Sequence, residues 1–171
     1  MVRHTRVVSV LVVLGVALLA GRCASDRSLP TGITPDLSAQ SMPSGLLQCS
    51  KLPSTSLKQT IGSAGGTMRI GPHVFVVPSG ALVQPVTISA KTAGGTGNAV
   101  DFKPAGLTFL TPAYLVLSYA NCSTVASSIS KQVAYTTDSL AILYYLATSD
   151  NTAAQQVTAQ ITHFSNYAVA W

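Results

Sequence analysis

The chain has 171 residues, 47% of them hydrophobic and 9% charged, a composition that excludes a disordered polyelectrolyte and suits a globular domain with half-buried strands. Its formal charge of +5 overstates its basicity, because Arg3, Arg6 and Arg22 fall in an N-terminal leader and the other Lys and Arg residues are scattered singly. There is no basic stripe with interleaved aromatics, so nucleic acid is not an expected partner.

The leader comes first. MVRHTR supplies a positive start, Val7 to Ala20 form an apolar run, and small residues follow. This is the build of a secretory signal over residues 1–23, and the run is short of the ~20 residues that a bilayer core requires of a span. The expectation is an exported protein, with an uncleaved membrane anchor as the competing reading. Leu19 to Cys23 read LAGRC, which resembles the lipobox of bacterial lipoproteins and makes Cys23 the candidate for acylation and membrane attachment. Arg22 departs from that pattern, and ordinary cleavage between Ala20 and Ser25 is the alternative.

Residues 24–48 are rich in Ser, Pro, Thr and Gly without apolar periodicity, as expected of a flexible linker. The folded domain is expected over residues 49–171. It holds two cysteines, Cys49 and Cys122, and export places them in an oxidising compartment, so they are expected to form a disulfide; two buried thiols are the alternative. Zinc is not expected, since these cysteines with His73 and His163 offer no close ligand pair.

Within the domain, Met68–Ile70 and His73–Val77 flank the turn Gly71-Pro72. Val86–Lys91 alternate apolar Val86, Ile88 and Ala90 with Thr87, Ser89 and Lys91, the period of a strand with one wet face. Further strands are expected at VDF, YLVLSY, QVAY, LAILYYLA and from Gln156 to the C-terminus. Gly or Pro punctuates most gaps, and Ala93 to Ala99 read as a hairpin loop. Many short strands without an amphipathic helix predict an all-β fold, an antiparallel β-sandwich. LAILYYLA, apolar on both faces, is either a central strand or an exposed contact surface.

Four segments, GGTM (Gly65 to Met68), VPSGAL (Val77 to Leu82), FKPAGLTFLTPAYLVLSY (Phe102 to Tyr119) and HFSNYAV (His163 to Val169), together resemble the ZU-five domain shared by ankyrins, netrin receptors and zonula occludens proteins. The resemblance covers roughly Gln59 to Trp171 and implies a β-sandwich used as an interaction module; secreted bacterial proteins carry similar domains. Some death-domain proteins with such domains cut their own backbone within a His-Phe-Ser motif. By that likeness His163 is the base, Ser165 the nucleophile and Phe164-Ser165 the broken bond. The chemistry needs a strained peptide and donors for the oxyanion.

The residues themselves allow a plainer reading. On a regular strand Ile161, His163, Ser165 and Tyr167 share one face, which puts two polar side chains among apolar ones and sends Phe164 to the other side. One extra residue near His163 to Asn166 would turn Phe164 inward, with the imidazole and hydroxyl bonded to each other or to the nearby turn. No nucleophile elbow, Walker loop or metalloprotease motif occurs. Asp101, Asp138 and Asp150 form no calcium-loop pattern and are expected as solvated turn or strand-end residues. No cofactor is expected. The function expected is that of an exported binding or structural module of the cell envelope, its partner an unidentified protein or envelope component, with self-cleavage as the alternative.

Overall fold

The computed structural model describes residues 45–123 and 129–171. The expected leader, the lipidation candidate Cys23 and the linker as far as residue 44 lie outside the described residues. The described chain is all-β. Its strands are β1 (Ser56–Ile61), β2 (Gly66–Ile70), β3 (His73–Val77), β4 (Val86–Thr92), β5 (Ala99–Lys103), β6 (Thr108–Ser118), β7 (Gln132–Thr136), β8 (Ile142–Tyr145), β9 (Thr148–Asn151), β10 (Gln156–His163) and β11 (Asn166–Ala170). They form a six-stranded sheet, β1-β4-β5-β11-β7-β8, and a five-stranded sheet, β2-β3-β6-β10-β9. Neighbouring strands pair antiparallel, and the two sheets enclose one core, the expected β-sandwich.

Local chemistry explains the strands. In β4, Ile88, Ala90 and Thr92 are buried while Thr87 and Lys91 are exposed, the alternation that pins register in a half-buried sheet. β2 and β3 are joined by Gly71-Pro72, and Gly71 takes φ 58°, the left-handed conformation that a two-residue hairpin turn needs. At Gly65, φ is 75° and a Cβ would run into the Val77 carbonyl oxygen, so only glycine fits there. Pro112 sits inside β6, a central strand, where a missing N–H ordinarily costs a ladder bond. It is tolerated because the pairing with β3 runs only from Val116 to Tyr114.

The core is aromatic at its centre. Phe75 from β3, Phe102 from β5 and Phe109 from β6 surround Phe164, with centroid separations of 5.5, 4.9 and 5.1 Å from its ring. These are the chain's four phenylalanines. Such ring pairs add roughly 1 kcal/mol each beyond the area they bury.

The domain begins earlier than its sequence suggests. Leu46 bridges Ala170, Gln48 bridges Gly97, and Leu47 is fully buried, so residues 45–48 belong to the fold and not to a linker. The spacing hides this because three short pairings with distant partners leave no local period. Cys49 and Cys122 face each other in the next bridge and form the expected disulfide. They stand 73 positions apart in sequence, and closing that loop stabilises the fold by roughly 4 kcal/mol on chain-entropy grounds.

Asp150 is more than a solvated strand-end residue: its carboxylate accepts the Tyr119 hydroxyl at 2.7 Å and the Lys131 backbone N–H at 2.8 Å, tying β9 to the end of β6 and the start of β7. Asp138 accepts the Asn166 side-chain amide at 2.6 Å. Asp101 lies 3.3 Å from the Lys103 ammonium without hydrogen-bond alignment, and at such exposure the pair contributes little.

His73 is buried where β3 begins, and its Nδ1 accepts the Ser118 backbone N–H at 3.1 Å. An accepting Nδ1 fixes the neutral ring, and burial lowers its pKa from the ordinary 6.5 to about 4. Between those values the unfolded chain binds a proton that the folded chain refuses, so stability falls as pH drops through that window and is level above it. The loss amounts to about 3 kcal/mol at its lower end. Urea midpoints measured at neutral and mildly acidic pH are expected to show this decline, and His73→Gln is expected to flatten it.

Candidate functional site

The His-Phe-Ser segment lies where the chain leaves one sheet for the other. β10 ends at His163 in the five-stranded sheet, and β11 starts at Asn166 in the six-stranded sheet. Phe164 and Ser165 make the crossing. The ladder between β10 and β6 shifts register between Ile161 and His163, and the residues that enter the core run Ile161, Phe164, Tyr167. The spacing of three occurs twice. One extra residue would have sent Asn166 and Ala168 to the core, whereas two phase breaks, one on each side of Phe164, return Tyr167 and Val169 to it. Phe164 is therefore inward, as the sequence predicts, through a double offset in place of a single bulge.

The backbone of the crossing is well satisfied. Phe164 N–H donates to the Leu107 carbonyl at 2.8 Å, Gly106 N–H donates to the Phe164 carbonyl at 3.1 Å, and Phe102 N–H donates to the Ser165 carbonyl at 3.2 Å. The Tyr167 hydroxyl donates to the His163 carbonyl at 2.7 Å. Burial, with Tyr144 and Tyr135 adding, pushes that hydroxyl above the usual phenol range, so it stays protonated as the donor. Among the described non-glycine residues, positive φ occurs at Leu140 and Gln155 and not at the crossing.

The side chains of His163 and Ser165 do not meet. The imidazole packs edge-on against Tyr135 at 5.4 Å between centroids, and its Nδ1 lies 3.5 Å from the Thr162 hydroxyl. Ser165 is half-buried, and its hydroxyl forms no hydrogen bond with any described residue. Attack on the Phe164 carbonyl would find one amide donor on the oxygen, from Gly106, and no base on the hydroxyl.

A second feature adjoins the crossing. Tyr135 on β7 also contacts Tyr144 on β8, at 4.9 Å. Among the described strands β8 is an edge, paired with β7 alone, with Leu143, Tyr144 and Tyr145 exposed by 52, 46 and 36%. Of the two readings open for LAILYYLA, the exposed surface is the observed one. β1 at the other edge of the sheet carries Lys58 and polar neighbours, the usual protection of an unpaired strand, while β8 has no charge and no proline. The ring cluster of His163, Tyr135 and Tyr144 escapes sequence reasoning because its members come from three strands, and no local pattern announces β7 and β8 as neighbours of the crossing.

Among the described residues no cluster of three or more His, Cys, Asp or Glu side chains is placed to hold a metal ion, and no helix is long and apolar enough to cross a membrane. No protein-family model matches the chain, and no curated protein is detectably similar to it.

The geometry separates the two residues of the motif by what they contribute. Phe164→Ala removes the ring at the centre of the aromatic core and is expected to destabilise the fold by about 3–5 kcal/mol, whereas Ser165→Ala, which breaks no hydrogen bond, is expected to stay within about 0.5 kcal/mol. Chemical denaturation of the two variants checks this contrast.

Proposed function

We propose that this protein is exported and serves the cell envelope as a β-sandwich binding or structural module. The observation that carries this reading is the β8 edge, an uncharged aromatic strand whose outer side pairs with no other described strand. The leader and the LAGRC segment support export, and a disulfide suits an oxidising compartment. The resemblance to ZU-five domains supports an interaction role in the same setting.

The full chain expressed in a bacterium that processes lipoproteins tests the proposal. The leader is expected to be removed, with the mature N-terminus at an acylated Cys23 or, if Arg22 blocks lipidation, at a residue between Ala20 and Ser25. In a Cys23→Ser background, where no lipid can hold the protein, it is still expected in the envelope fraction. Leu143→Lys with Tyr145→Lys should then release it severalfold. An intact Met1 in the cytosol, or equal retention of both forms, overturns the reading.

A second reading, one-turnover cleavage of the Phe164-Ser165 bond, is favoured by one observation, the Gly106 N–H on the Phe164 carbonyl. It would require His163 to leave Tyr135 and reach the Ser165 hydroxyl. The mass of the denatured protein distinguishes the two. A chain uncut at Ser165 is expected, and a Ser165 to Trp171 peptide that disappears in both Ser165→Ala and His163→Ala would establish cleavage.

A further inference from the structure

The outer face of the five-stranded sheet carries a shallow groove with no charged residue in its lining. Tyr114 on β6, 40% exposed, stands directly across from Gln160 on β10. Thr158 and Thr162 flank Gln160 on the same face of β10, and Ser149 on β9 stands across from Thr158. The stretch from Thr158 to Thr162 extends about 14 Å at the rise of a strand. The other cleft of comparable form, on the six-stranded sheet, is lined by Lys91, Asp101, Lys103 and Asp138. The two clefts thus differ in charge: the second holds both signs and the first holds none.

The chemistry of the uncharged groove is specific. Threonine and serine hydroxyls and the glutamine amide each donate and accept hydrogen bonds. In Tyr114, Thr158, Gln160 and Ser149 these groups bond to no other described residue. A tyrosine ring among them offers a rigid apolar surface at low entropic cost. A protein partner would call for an apolar centre larger than one ring, and an anionic polymer would call for cations. A ligand dense in hydroxyls, neutral, with apolar C–H faces that stack on an aromatic ring meets all the requirements. The length of the polar row on β10 suits an extended chain of sugars better than a single one.

We infer that this groove binds a neutral polysaccharide chain, with a sugar ring stacked on Tyr114 and its hydroxyls bonded to Gln160, Thr158, Thr162 and Ser149. The inference rests on the binding-module reading and adds to it a second surface with its own ligand class. Isothermal titration of the purified full-length chain with cellohexaose, xylohexaose, chitohexaose and maltohexaose tests it. At least one is expected to bind, with an affinity unaffected by salt. Tyr114→Ala should weaken binding roughly tenfold and Gln160→Ala severalfold, while Tyr114→Phe keeps most of it and all three variants keep the parent melting temperature. Binding to none of the four, or binding that Tyr114→Ala leaves unchanged, overturns the inference. The fractionation above fails independently: a cytosolic protein that binds sugars through Tyr114 would sink the envelope reading alone, and an envelope protein that binds none would sink the ligand class alone.

Discussion

The structure depends on one side chain. Phe164 sits between the sheets at the point where the chain passes from one to the other, and its ring touches Phe75 on one sheet and Phe102 on the other. A sandwich has no covalent reason to keep its layers in register; side chains meeting across the middle supply it. Here the crossing segment itself provides the central ring, so the position of β10 and that of β11 are set by the same residue. The flanking backbone bonds to Gly106, Leu107 and Phe102 leave the crossing little freedom to slip. His163 and Ser165 are placed as a consequence: turning Phe164 inward sends its neighbours outward, to Tyr135 on one side and to a half-buried pocket without a partner on the other.

That constraint was partly legible in the sequence. The alternation in Val86 to Lys91 and the punctuation by Gly71-Pro72 translate directly into β4 and the β2–β3 turn, because each depends on neighbours two or three residues away. The conflict between His163, Ser165 and the apolar set around them also pointed inward for Phe164. The sheet change was hidden for a physical reason: two phase breaks restore the original parity, so residues before and after the crossing read as one uninterrupted strand. β9, Thr148–Asn151, reads as a turn by composition and is a strand because β10 supplies its pairing. His73 gave no sign of burial, since its surroundings come from Ser118, 45 residues away.

The candidate sites were less legible than the fold. A contact surface could be suspected from LAILYYLA, but its edge position follows from sheet order, which short-range pattern does not encode. The uncharged groove is still further from view. Tyr114, Gln160 and Ser149 are unremarkable outward residues on three separate strands, and only the antiparallel registers of β6, β10 and β9 bring them side by side. The scarcity of charge in the whole chain concealed its absence from this groove and its presence in the other cleft.

The pairing of Gly45 with Trp171, through backbone bonds of 3.4 and 3.1 Å in the two directions, has a mechanical meaning. Both ends of the described domain leave from the same spot, so a pull on residue 44 enters at the rim of β11 and opens these pairings one at a time, as a zipper opens. Only Gly45 to Gln48 can peel in this way. At Cys49 the load passes through a covalent bond into Cys122, just beyond the end of β6, and from there into the centre of the five-stranded sheet. Under tension the domain can lengthen by about 13 Å, four residues at full extension, before the disulfide arrests it, and the Phe164 core behind that bond is shielded from the pull.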